Sequence, residues 1–142
     1  MIESIKYKKK ILALIVKNFN REKKGINFFT PNKLSQQVAY MYHKKKHIIQ
    51  PHVHKKRLKK IYDTNEVLII LDGKMKVDFF SSNKKYLRSK ILKKNDILIL
   101  LNGGHGFKIL KDCKFLEVKQ GPYKGEGEKT RFRPTDNPHW SG

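Results

Sequence analysis

The chain has little cysteine, little acid and no long apolar run. Cys113 is its single cysteine, which excludes an internal disulfide framework and a Cys-rich zinc site. A lone thiol fits a reducing, cytoplasmic compartment. The longest apolar run near the N-terminus is Ile11 to Val16. A membrane helix needs about 20 such residues and a signal-peptide core about 7–15, so a soluble, unprocessed chain with no membrane partner is expected. Helical periodicity of useful length is missing as well. Asp and Glu number 12 against 33 Lys and Arg, for a net charge of +21. Of these cations 28 are Lys and only 5 are Arg. Base and phosphate recognition leans on the bidentate Arg fork, and no helix-turn-helix, RNP-like or zinc-finger pattern accompanies the charge. A specific nucleic-acid partner is therefore not expected, and part of the excess is compositional.

What is present is a series of short, β-branched apolar segments separated by turn residues, as in strands. The expected strands are Ile11–Lys17, Gly25–Thr30, Gln36–His43, Ile48–His54, Glu66–Leu71, Lys74–Phe80, Tyr86–Leu92, Ile97–Leu101, Phe107–Leu110 and Phe115–Gln120. Asp72-Gly73 reads as a hairpin turn, and Ser81-Ser82-Asn83, Asn95-Asp96 and Asn102-Gly103-Gly104 as further turns. In Gln36–His43, one of two faces, Val38, Tyr40 and Tyr42 or Gln37, Ala39 and Met41, must meet the core. About ten short strands at this spacing predict an all-β barrel or sandwich. At 142 residues one domain is expected: an N-terminal strand segment over 1–24, a barrel over 25–121, and an irregular tail over 122–142 rich in Pro and Gly.

The chemistry-bearing residues are the histidines. His52-Val53-His54 places two imidazoles on one face of a strand. Glu66 opens the following strand, and His105 precedes Phe107–Leu110 after two glycines. Three imidazoles and a carboxylate on neighbouring strands form a candidate site for Fe, Mn, Ni, Co or Zn with room for water or substrate. His43 and His47 flank a run of three lysines in a turn, and His139 lies in the tail. Neither reads as part of the site. Cys113 has no visible base beside it. Phe107 points the same way as His105 and would supply an apolar wall. Tyr123 and Arg131 are placed at the pocket mouth by position alone.

Pro51-His52-x-His54, Glu66 with six residues before Gly73, and Asn95-Asp96 leading through five apolar residues to Asn102-Gly103-Gly104-His105 together resemble the two motifs of the cupin family. The run from Leu116 to Tyr123 resembles the end of small WbuC-like cupins associated with surface-polysaccharide biosynthesis. The resemblance covers roughly residues 28–121. It implies a double-stranded β-helix (jelly-roll barrel), a homodimer, and a metal held by His52, His54, Glu66 and His105. Three features depart from the family pattern. Eleven residues separate His54 from Glu66, Asn95 and Asn102 stand where the second motif has Gly and Pro, and its His falls one residue early.

The extra residues, Lys55–Asn65, carry Lys55, Lys56, Arg57, Lys59 and Lys60, a basic cluster expected at the pocket edge as a funnel for an anionic substrate. The resemblance implies an enzyme acting on a small anionic substrate such as a sugar or sugar nucleotide, by isomerisation or epimerisation. The metal would be a Lewis acid, and Glu66 either a ligand or the general base. An Fe(II) dioxygenase and a non-catalytic carbohydrate- or metabolite-binding module are the alternatives.

Overall fold

The structure, a computed structural model, describes residues 1–19 and 23–134. The expectation for His139 lies outside them. The chain divides into two compact units, one formed by Met1–Phe19 together with the residues from Asp63 onward, the other by Asn20–Tyr62. The strands are β1 (Ile2–Tyr7), β2 (Lys10–Val16), β3 (Gly25–Phe28), β4 (Ala39–Tyr42), β5 (Glu66–Phe80), β6 (Tyr86–Lys93), β7 (Ile97–Leu100) and β8 (Gly104–Lys119), with a short 3-10 turn at Gly125–Glu128. The architecture is all-β, as expected. No helix among the described residues is long and apolar enough to cross a membrane.

The first unit is a six-stranded antiparallel sheet curled into a half-barrel. The order is β1-β2-β7-β5-β6, with β8 also on β5. Strand β5 organises it. One edge pairs with β8 along its whole length, from Glu66 opposite Lys119 to Phe80 opposite Gly104. The other edge is shared: Glu66–Ile69 pairs with β7 and Lys74–Phe80 with β6.

A straight strand of this length would span roughly 45–50 Å. Yet Glu66 pairs with Leu100 and Phe80 with Gly104, and the short stretch from Leu100 to Gly104 reaches at most about 14 Å. Even with an inter-strand spacing of about 5 Å at each side, the two ends of β5 must lie much closer than a straight strand allows. So β5 folds back on itself.

The corner lies at Ile70–Gly73. Register shifts against β8 cluster there, and Gly73 has φ +86°. A Cβ at Gly73 would overlap the Asp112 carbonyl oxygen of β8, so only glycine lets the two bent strands press together. The turn between β6 and β7 is stitched to the same corner: Asn95 N–H donates to the Ile70 carbonyl and Ile70 N–H to the Asp96 carbonyl, each at 3.0 Å. The buried Asp96 carboxylate accepts from Lys17 Nζ at 2.7 Å and from the Asn18 and Lys93 amides at 3.0 Å. A buried carboxylate needs such partners.

The concave core contains Ile5, Ala13, Ile15, Leu68, Ile70, Met75, Val77, Phe79, Leu92, Leu98 and Leu100. Alternation places Lys74 and Lys76 on the opposite face from Met75 and Val77; Met75 and Val77 are fully buried. The β7 strand is buried throughout, as a continuous apolar run in the middle of a sheet should be.

Four expectations are corrected. Asp72-Gly73 is a bend inside β5, not a hairpin turn, and Lys111–Lys114 is likewise inside β8 rather than a break between two strands. In each case the opposite strand bends in step, so pairing survives the turn residues. Ile48–His54 forms no strand; Pro51 removes a ladder donor there. Gln36–His43 shortens to β4, which among the described residues pairs only with β3. Its side chains are half-buried or exposed, so neither of its faces meets a core. The sequence pattern also missed β1, whose only fully buried side chain is Ile5: a polar edge strand carries too little alternation to read.

Candidate functional site

Glu66 is the first residue of β5 and His105 the second of β8. Strand alternation places Glu66 on the side of Leu68 and Ile70, and His105 opposite Phe79, on the concave face. Along the ladder they stand at opposite ends. The fold-back of β5 closes that separation, and His105 Nε2 lies 3.2 Å from Glu66 Oε2. Register adds a third group: Lys119 is paired with Glu66 across β5 and β8, and its Nζ is 3.8 Å from Glu66 Oε1. Lys119 also donates to Glu128 Oε2 at 2.8 Å.

These groups line a cleft of about 460 Å³, which the tail segment completes with Lys129, Arg131 and Phe132. That size is within the usual range for small-molecule sites, about 300–1,000 Å³. Phe132 packs edge-to-face on buried Phe80, with ring centroids 5.1 Å apart.

Glu66 is nearly buried. Burial alone would raise its pKa, but the hydrogen bond from His105, then the positive charges of His105, Lys119 and Lys129, outweigh it and hold the carboxyl below its ordinary 4.5. The Lys119 ammonium is in turn held above its ordinary range, first by Glu128 and also by Glu66. The site at neutral pH therefore contains a fixed carboxylate. Receiving the Nε2–H of His105, that carboxylate orients the ring and leaves Nδ1 of the neutral form as the basic nitrogen.

The other residues singled out in the sequence are placed as follows. Phe107 lies beside His105, centroids 5.2 Å apart, and packs on the core. Arg131 lines the cleft. Tyr123 is largely exposed, with its ring 5.3 Å from Lys119 Nζ. His52 and His54 belong to an irregular exposed segment of the second unit, rings 5.3 Å apart and edge-on. His52 Nδ1 is 2.9 Å from the Gln50 carbonyl. Lys55, Lys56 and Arg57 continue that exposed segment. His43 and His47 stack at 4.1 Å. Burial, then the nearby Asp72 carboxylate, push the Cys113 thiol up, which keeps it protonated and unreactive.

Among the described residues no three His, Cys, Asp or Glu side chains come together as metal ligands. Glu66 and His105 supply two donors where a structural or catalytic metal takes three or more. The two Glu66 oxygens already face cationic or proton-donating groups, His105 and Lys119. Glu66 and His105 are thus the two expected donors in this unit, and His52 and His54 belong to the other.

No family model, curated protein or solved structure matches the chain.

A carboxylate-oriented imidazole beside two or three cations can take a proton from a carbon next to a carbonyl and steady the negative charge that develops on oxygen. Sequence reasoning placed Glu66, His105 and Arg131 here but missed Lys119, Glu128, Lys129 and Phe132. A legible signal did exist for part of this set: Lys129-Thr130-Arg131-Phe132-Arg133 alternates cations with polar and aromatic residues inside an otherwise Gly-rich tail.

Proposed function

We propose that the chain is an isomerase- or epimerase-type enzyme acting on a small anionic sugar or sugar derivative, built on a cupin-type double-stranded β-helix. The observation that carries the reading is the Glu66–His105 pair at 3.2 Å in a cleft lined by Lys119, Lys129 and Arg131. His105, oriented by Glu66, removes the proton from the carbon next to the substrate carbonyl. The electron pair of that C–H bond moves to the carbonyl oxygen as an enolate. For isomerisation, the proton of the neighbouring hydroxyl moves to the enolate oxygen and His105 returns its proton to the former carbonyl carbon; for epimerisation, water delivers a proton to the opposite face of the same carbon and His105 gives its proton to solvent. The cations attract the substrate's charged group and the developing oxyanion. The curled half-barrel supports the fold assignment, and the approach of Glu66 and His105 to 3.2 Å supports the motif alignment.

The test is solvent exchange. Sugar phosphates and keto sugars incubated with the protein in D2O should gain deuterium at the carbon next to the carbonyl, followed by NMR. His105→Asn and Glu66→Gln should each slow this by about 100-fold or more. Undiminished exchange in His105→Asn would remove His105 as the base. Elemental analysis of the same preparations tests the metal implied by the motif alignment. One transition metal per chain, lost in His52→Ala and His105→Ala, would replace this acid–base reading with a metal-centred one.

A further inference from the structure

A second cleft adjoins the first. It encloses about 360 Å³ and shares Thr64, Gly103, Gly104, Thr130 and Phe132 with its neighbour. Phe132 forms the common wall. Its ring is fixed edge-to-face by Phe80 on one side, and Lys84 Nζ lies 5.7 Å from its centroid. A Cβ at Gly104 would come within 3.2 Å of that ring, so the glycine lets Phe132 lie against the backbone.

The two clefts differ in chemistry. The first carries an excess of cations around the Glu66–His105 pair. The second balances one acid, Asp63, against one base, Lys84, and adds the hydroxyls of Ser82 and Thr130 and the Asn102 amide. Asn102 Nδ2 donates to Asp63 Oδ1 at 3.3 Å, which sets these two planar groups side by side. Mixed donors and acceptors with no net charge, next to an aromatic ring, suit a neutral hydroxylated group. Hydroxyls bridge the Asp, Asn and Ser atoms while C–H faces of the ligand lie on the ring.

We infer that the two clefts form one divided site for an anionic carbohydrate: the charged end and reacting carbon in the first, the hydroxylated remainder in the second, across Phe132. This rests on the acid–base reading of the first cleft and adds where the hydroxylated part of the substrate lies and which residues select it. Asn102 and Ser82 are then specificity residues that never touch the reacting carbon.

Calorimetric titration of the full chain with inorganic phosphate, glucose and glucose 6-phosphate tests it. Glucose 6-phosphate should bind about tenfold more tightly than inorganic phosphate, a gain of about 1.4 kcal/mol. Asn102→Leu and Ser82→Ala should each erode that gain and leave phosphate affinity unchanged. Glucose 6-phosphate binding no tighter than phosphate, or a gain indifferent to both substitutions, overturns the divided site while leaving the acid–base reading intact. Absence of any phosphate binding together with absence of deuterium exchange overturns both. Because Ser82 is on an exposed turn, its variant remains informative if Asn102→Leu fails to fold.

Discussion

At the scale of single residues, the decisive contest is at Glu66. Burial works against its charge, while His105, Lys119 and Lys129 work for it and prevail. The consequence for stability has a definite sign. A carboxyl held below its ordinary value in the folded state stabilises that state at pH above the ordinary value, and the contribution fades as pH falls through the lowered one. Glu66→Gln should therefore cost about 1 kcal/mol at neutral pH. The gap to the parent should narrow once pH drops below 4.5. Urea unfolding at a series of pH values measures it, and a gap that stays constant would make the loss one of packing rather than charge. Glu66 and His105 were legible from their sequence neighbourhood because short motifs of strand and turn place them. Lys119 was not, since its role depends on cross-strand register, and register is set by a partner 53 positions away. For His52 and His54, the strand expected to give them a shared face is not formed, and Pro51 removes a ladder donor there.

At the scale of elements, the bend of β5 matters most. Turn residues usually end strands, which is why Asp72-Gly73 reads as a hairpin. A positive-φ glycine inside a strand marks a bulge equally well, and the choice depends on whether the opposite strand bends alongside, which no local window contains. The remaining turns were legible because each ends a strand: Ser81-Ser82-Asn83 follows β5, Asn95-Asp96 follows β6, and Asn102-Gly103 follows β7. Gly73→Ala combines an unfavourable φ with overlap against Asp112, and should destabilise the fold by more than about 2 kcal/mol. Denaturant midpoints give the stability. If the bend positions the site, deuterium exchange should fall in this variant even at temperatures where it remains folded; full activity in a folded Gly73→Ala would separate the bend from the site.

At the scale of the whole molecule, the large positive charge acquires a distribution. The central strand β7 carries no charge, whereas the strands with one edge unpaired among the described residues carry many: Lys6 on β1, Lys90 and Lys93 on β6, and Lys108, Lys111 and Lys114 on β8. Exposed strand edges invite pairing with other chains, and lysine on them opposes it. The β8 strand needs this most, being long and exposing Ile109, Leu110, Leu116 and Val118. Replacing Lys108, Lys111 and Lys114 with Gln should raise light scattering on concentration or mild heating, while shifting the unfolding free energy by no more than about 0.5 kcal/mol. Unchanged solubility would assign the lysines to substrate attraction or to composition alone.

The doubling-back of β5 also bears on the order in which the chain assembles. Glu66 and His105 can approach only after β5 has bent, β6 and β7 have filled its one edge, and β8 has zipped along the other. Contacts so distant along the chain form slowly, because loop closure must be completed before they contribute. The reactive pair is thus among the last contacts available to a folding chain. Recovery of deuterium exchange after dilution from denaturant should lag behind recovery of β-sheet signal.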